Sequence, residues 1–427
     1  MKWLVRTAAA VARHRWLWRH RSSFAVAVRR ERWSLLVDVS AIIQHDAQTG
    51  IQRVVRAVWS ELRHREDREF IIAPVYATPE HGYCYAPLGF LEGSRELDRQ
   101  PVVAGCGDMF LGLDLSAHLL PKYRSQLRGW RASGATIHLV VYDLLPLVRP
   151  AWFSRQTCAH FRRWFDVVRD DADQALCISD QVSRELCQEL ATKGAVDRPF
   201  VGRLHLGGDI SKSVPSPGIS DDARRLLDGL RFRPAILMVG TIEPRKGYEI
   251  ALTAFDYLWK NRPNDAPDLI IVGKGGWKTE LLQRRIRLHP QNGRRLHWLD
   301  EVSDEALCGF YEGCRGVLMA SRAEGFGLPL LEAATHRRFI LARDLPVFRE
   351  QRLPNVLYFD DDRPVALAER LMDLVGAGLR GTAPVIDLRT WSECVDRLLV
   401  EMGIHEHARD RSTWSTKSHS DNMLRAR

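Results

Sequence analysis

Two α/β domains, each a doubly wound parallel sheet, are what this chain predicts, and three observations carry the expectation. At 427 residues it exceeds what one ordinary core organises, so two domains of about 180 residues each are the natural division. Short apolar runs alternate with segments of helical period in both halves, as strand–helix–strand crossovers require. Ser, Pro and Gly cluster at residues 211–218, the composition of a linker. The predicted divisions are an arm over 1–33, domains over 34–213 and 214–404 with a cleft between them, and a disordered polar tail over 405–427. No internal repeat of solenoid length is present.

The net charge of +9 is concentrated at the start. Residues 1–33 hold nine Lys or Arg against one acid, a net +8, which leaves +1 for the remaining 394 residues. Within that arm Arg15, Trp16, Leu17, Trp18 and Arg19 form one block, a composition suited to the headgroups of an anionic membrane surface. Arg6 and Arg13 interrupt the apolar stretches, so none spans a bilayer or makes a convincing signal peptide. A disordered basic arm, a wrongly assigned translation start and an organelle transit peptide are the competing readings. Nucleic acid is not an expected partner, because the body is near neutral and no nucleic-acid motif appears.

In the second half the elements follow one another as strand, loop and helix. Ala235 to Gly240 reads as a buried strand, Thr241-Ile242-Glu243-Pro244-Arg245-Lys246-Gly247 as its exit loop, and Ile250 to Trp259 as a helix. Adjacent cations on such a loop can clamp a diphosphate, Arg245 by paired bonds and Lys246 as a point charge; a solvated turn is the plainer alternative. Leu269 to Val272 is the next strand, with a glycine-rich exit from Gly273 to Gly276 that lacks the G-x-G-x-x-G spacing of dinucleotide folds. Gly316 to Ser321 is a third, and beyond it Glu324 to Ala333 places two carboxylates eight positions apart across a loop and the first turns of a helix. Gly325 and Gly327 permit close backbone approach, Pro329 suits a first helical turn, and the helix start offers N–H groups to a phosphate. In open α/β sheets the carboxyl edge carrying these loops is where ligands bind.

From Ile236 to Phe359 these pieces together resemble the nucleotide-binding half of the large retaining glycosyltransferase family 4, with its two-domain GT-B fold. The resemblance extends over roughly residues 34–400. Asp38-Val39-Ser40, Asp46 and Thr49 to Arg56 look like the first strand, loop and helix of a subgroup that transfers mannose or rhamnose to bacterial surface polysaccharides. Val140 to Pro146 looks like the family's strand ending in His-Asp, but Tyr142 stands where histidine is usual, so no histidine's role carries over. Leu176 to Asp180 reads as the next strand with Ser179 capping a helix, and Leu206 to Asp209 as a strand end before the linker.

The family implies a hexosyltransferase acting on a nucleotide-diphosphate sugar, with GDP-mannose as the expected donor and a glycan or lipid-linked acceptor. It implies no covalent intermediate, no cofactor and no required metal. Glu324 would hold the donor sugar's hydroxyls and Glu332 the ribose hydroxyls, with N–H groups near Phe326, Gly327 and Leu328 assisting. Arg245 and Lys246 would neutralise the leaving diphosphate as positive character builds at the anomeric carbon. Gly240 and Gly273, where two strands give out, belong to the donor-binding set. Gly50 either lets its loop approach the diphosphate or only turns the chain into a helix. Arg53 faces either phosphate or a structural carboxylate, and Asp143 either orients hydroxyls or acts as a base, or caps its loop. Competing functions are a retaining glycosidase, which needs two carboxylates about 5 Å apart, and a non-catalytic assembly subunit that keeps the fold. Eight cysteines without C-x-x-C or zinc spacing fit a reducing cytosol, with attachment to the inner face of the cell membrane through residues 1–33.

Overall fold

The computed structural model describes residues 32–65, 70–92, 99–194, 199–209, 216–381 and 383–404. Most of the basic arm, the linker core at 211–215 and the tail from 405 lie outside the described residues.

The first domain is a seven-stranded sheet. Its strands are β1 (Trp33–Asp38), β2 (Phe70–Tyr76), β3 (Cys84–Tyr85), β4 (Met109–Gly112), β5 (Thr136–Val141), β6 (Gln174–Cys177) and β7 (Phe200–Arg203), in the order β3-β2-β1-β4-β5-β6-β7. All neighbours pair in parallel except β3, which runs antiparallel to β2. The second domain has β8 (Ala235–Val239), β9 (Asp268–Val272), β10 (Leu296–Leu299), β11 (Gly316–Met319), β12 (Phe339–Arg343) and β13 (Val356–Phe359), ordered β10-β9-β8-β11-β12-β13 and wholly parallel. Runs such as Asp268-Leu-Ile-Ile-Val272 are buried on both faces, because crossover helices cover each side of a parallel sheet.

In both sheets the strand order reverses once, between β1 and β4 and between β8 and β11. Crossovers leave in opposite directions there, so the loops at the carboxyl ends part and open a crevice. The helices that matter to it are α1 (Gly50–Leu62), α2 (Asp180–Thr192), α3 (Tyr248–Asn261), α4 (Glu280–Arg287), α5 (Asp304–Gly313), α6 (Leu328–Thr335) and α7 (Pro364–Arg380). Thr49 and Gln52 close a capping box on α1, and Ser179 caps α2 as its sequence predicts.

Two expectations need correction. The strand leading to the linker stops at Arg203, and Leu206 to Asp209 lie past it in irregular backbone. The second domain also does not keep its last helix. Helix α8 (Trp391–Glu401) packs on α1 and β7, the indole of Trp391 donates to the Asp209 carbonyl (2.9 Å), and Gln174 donates to the Glu401 carbonyl (3.1 Å). Trp391, Cys394, Val395 and Leu398 are buried. Residues 391–401 thus return to the first domain, so the expected span 214–404 is two-part.

Candidate active site

The two carboxyl edges meet face to face. A Cβ on Gly325 would lie 2.1 Å from the Tyr142 carbonyl oxygen, so the loop after β11 touches the loop after β5 through bare backbone. A Cβ on Gly50 would meet Leu328 at 3.7 Å, ordinary contact, so the protein alone does not demand glycine at the start of α1. Lys274 donates to the Ala47 carbonyl (3.3 Å), Trp277 to that of Trp152 (2.7 Å) and Lys278 to that of Ala151 (2.8 Å).

Loop 241–247 and loop 320–327 flank the switch point of the second sheet, and this brings the cation pair to the first glutamate. Pro244 to Lys246 form one 3-10 turn, closed by Gly247 in left-handed backbone, and the Arg322 amide donates to the Arg245 carbonyl (2.7 Å). Glu324 lies between the two cations. Its Oε2 accepts from Arg245 (2.6 Å), while its Oε1 accepts from Lys246 (2.6 Å) and from the Ser321 hydroxyl (2.6 Å). The side chain is 6% exposed. Burial works against its charge, but Arg245 and Lys246 outweigh burial and hold the pKa down at about 2. Glu243 takes the other edge of Arg245 (2.9 Å). From the opposite domain Asp143 faces the same guanidinium: burial raises its pKa and the charge of Arg245 opposes the rise. Asp143 also accepts from the Leu145 amide (3.0 Å), so it caps its loop while lying in the cleft. Gly240 and Gly273 end neighbouring strands beneath this group, joined by the bond from the Gly240 amide to the Val272 carbonyl (2.9 Å).

Glu332 belongs to a second cluster. It is 3% exposed on α6, its Oε1 accepts from Arg53 and its Oε2 from the Tyr311 hydroxyl (2.7 Å). Arg53 crosses from the first domain and also binds Asp304 (2.7 Å), whose other oxygen accepts from the Ser216 amide and hydroxyl (3.0 and 3.1 Å). Arg53 thus meets two carboxylates in this arrangement, and the expected ribose acceptor is engaged at both oxygens by protein. Gly327 precedes α6 in left-handed backbone, Pro329 lies in its first turn, and Phe326 is buried. Tyr142, at the family's histidine position, turns away from the cleft and donates to the Leu113 carbonyl (2.7 Å). Asp38 is likewise internal, accepting from Ser40, Tyr83 and Ser116.

The sequence reading missed Glu243, Ser321, Asp304 and Tyr311. Asp304 and Tyr311 are seven residues apart on α5 and share one face, a spacing that could have flagged them. For Glu243 and Ser321 no periodic signal exists, since both lie beyond strand ends in loops whose meeting is tertiary.

Residues 231–377 match the family described as glycosyl transferases group 1. The chain is 36% identical over 386 residues to a serotype-specific mannosyltransferase WbdA of Escherichia coli, covering 88% of this chain and 46% of that protein. A stretch of 104 residues is 36% identical to the O-antigen chain mannosyltransferase B of Escherichia coli, covering 24% of this chain and 27% of that one. The chain thus spans about half the length of the first of these relatives. Among solved structures it is similar to Anabaena Alr3699/HepE in complex with UDP and glucose, with TM-score 0.56 and 16% identity over 90% of this chain and 100% of that one. Sucrose-phosphate synthase of Thermosynechococcus elongatus is similar at TM-score 0.56 and 15% identity, over 91% of this chain and 100% of that one. At such identities the structural likeness concerns the fold.

Proposed function

This chain belongs to the group 1 glycosyltransferases, in their two-domain GT-B form, and from that premise we propose that it moves mannose from a nucleotide-diphosphate donor to a glycan acceptor in surface-polysaccharide synthesis. The observation that carries the reading is the buried contact of Glu324 with Arg245 and Lys246 at the switch point of the second sheet. A diphosphate brought to that turn offers the cations a stronger partner than one carboxylate, because a bidentate guanidinium–phosphate pair adds a second charge-assisted bond. Glu324, partly released, then accepts hydroxyls of the sugar. As the glycosidic bond to phosphate breaks, negative charge collects on the departing oxygen, where Arg245 and Lys246 neutralise it in a cleft the opposing domain shields from water. The acceptor hydroxyl oxygen bonds to the anomeric carbon as that bond breaks, its proton passes to the departing phosphate oxygen on the same face, and Asp143, across the same cleft, positions the hydroxyl. No resident metal is part of the proposal.

The glycosidase alternative asks for a carboxyl that gives up a proton. Glu324 is not that acid, since Arg245 and Lys246 keep its carboxylate ionised, and a glycosidase has no phosphate to give that cation pair a purpose. GDP-mannose as donor rests on the resemblance and on what the relatives are named for, mannosyl transfer.

Turnover of GDP-mannose, with and without a lipid-linked glycan acceptor, tests the assignment in Lys246→Ala and Glu324→Ala. Each is expected to lose at least about tenfold in kcat/KM, roughly 1.4 kcal/mol of transition-state stabilisation. Smaller losses in both would remove these residues from the chemistry. Thermal shifts with a panel of nucleoside diphosphates read the base, since a ligand selective for the folded state raises Tm.

A further inference from the structure

Helix α4 and the loop leading into it form a surface the reaction does not use. Leu281 is 85% exposed, Leu288 70% and Trp277 40%. On a helix of 3.6 residues per turn, positions 281, 284, 285 and 288 fall on one face, with 277 on its extension toward the cleft. That face therefore presents two leucines with Arg284 and Arg285 between them, and a tryptophan ahead. Residues 273–288 hold five Lys or Arg against one acid. Asp256 and Asp300 partly neutralise Arg285 and Arg287 (2.8 and 3.5 Å), which leaves the charge of the exposed Arg284 without a carboxylate among the described ion pairs.

The patch continues onto the other domain. Trp277 stacks obliquely on Phe153 (5.8 Å) and bonds to Trp152, and Lys278 bonds to Ala151. The adjoining residues 149–155 contain Arg149, Arg155 and no acid. An apolar and cationic strip thus runs along the outer edge of the second sheet, where α4 links β9 to the edge strand β10, and reaches the mouth of the cleft between the two loops.

We propose that this strip is the protein's contact with an anionic phospholipid surface. Exposed leucines flanked by arginines match the boundary between acyl chains and headgroups, where apolar side chains insert shallowly and guanidinium groups meet phosphate. Among the described residues no helix is long and apolar enough to cross a membrane. The contact's bearing on catalysis rests on the glycan-acceptor reading: the membrane plane would pass the cleft mouth, where a lipid-linked acceptor enters.

Co-sedimentation of the full chain with vesicles rich in phosphatidylglycerol, beside vesicles of phosphatidylcholine alone, tests the contact. The parent is expected to prefer the anionic vesicles. Leu281→Gln with Leu288→Gln should lower that binding about tenfold, and Arg284→Gln should lower it at low salt but little at high salt. Both leucines are exposed, so an unchanged Tm and unchanged turnover with a water-soluble acceptor establish that the double variant is folded. Parent-like vesicle binding by the double variant overturns the proposal, as does absence of binding by the parent. A parent that self-associates, in light scattering, through contacts the double variant loses would assign the strip to a second copy and overturn it too. If mannosyl turnover fails while vesicle binding behaves as described, the functional reading falls and this one stands.

Discussion

At the scale of a residue, Glu324 shows how two opposing effects are settled by neighbours. Burial alone favours the neutral acid, yet two cations within 2.6 Å make the carboxylate the stable form, so the pKa drops from its ordinary 4.5 to about 2. A folded value below the unfolded one means ionisation favours folding. That contribution is full above pH 4.5 and vanishes as pH falls through 2, and the gap between the two values corresponds to about 3 kcal/mol. Glu324→Gln, which imitates the protonated side chain, is expected to be less stable than the parent in urea at about pH 6, and the difference should close as pH falls toward about 2. A difference independent of pH would show that the ion pairs contribute nothing. The candidates Arg245, Lys246 and Glu324 were legible in sequence because residues beyond apolar strand runs are bound to surface at a sheet's carboxyl edge. Their mutual contact was not, since 78 or 79 positions separate the partners.

Among elements, the strand-to-helix loops decide the site. Gly247 ends the turn bearing both cations and starts α3 with φ +72, and a Cβ there would lie 2.2 Å from the Ala320 carbonyl oxygen in the companion loop. Gly247→Ala therefore faces left-handed strain and a backbone collision together, and is expected to cost roughly 2 kcal/mol or more in thermal unfolding, with loss of turnover as Lys246 shifts. Retention of parental Tm would mean the loops are not packed as described. Alternating apolar runs and helical periods located β8, β9, β11, α3 and α6, whose patterns are local. Sequence failed at α8: its amphipathic pattern and the Thr390–Glu393 capping box announce a helix but not which sheet it covers. The irregular backbone at 206–209 was misread for a related reason, since Gly207 lies against Trp391 so closely that a Cβ would be 2.7 Å from its amide nitrogen, a partner far along the chain.

The whole molecule is held by charges that cross between its halves. Arg53 reaches from α1 to Glu332 and Asp304, and Asp304 in turn anchors Ser216, just past the linker. Arg53→Ala would leave the buried Glu332 and the partly exposed Asp304 beside each other without their cation, at a cost of about 3 kcal/mol. It is expected to split calorimetric unfolding into two transitions as the domains lose their tie, whereas one transition at the parental temperature would remove Arg53 from that role. By itself the sequence determined the fold class, the division into two doubly wound sheets and the glycine and proline punctuation of the loops after β8 and β11, because strand burial, helical period and turn chemistry are written over short windows. Only the tertiary structure decided which carboxylate neutralises which cation, that Tyr142 turns inward, and that the last helix returns to the first domain. Those outcomes depend on how two sheet edges approach one another, a relation that no local window contains.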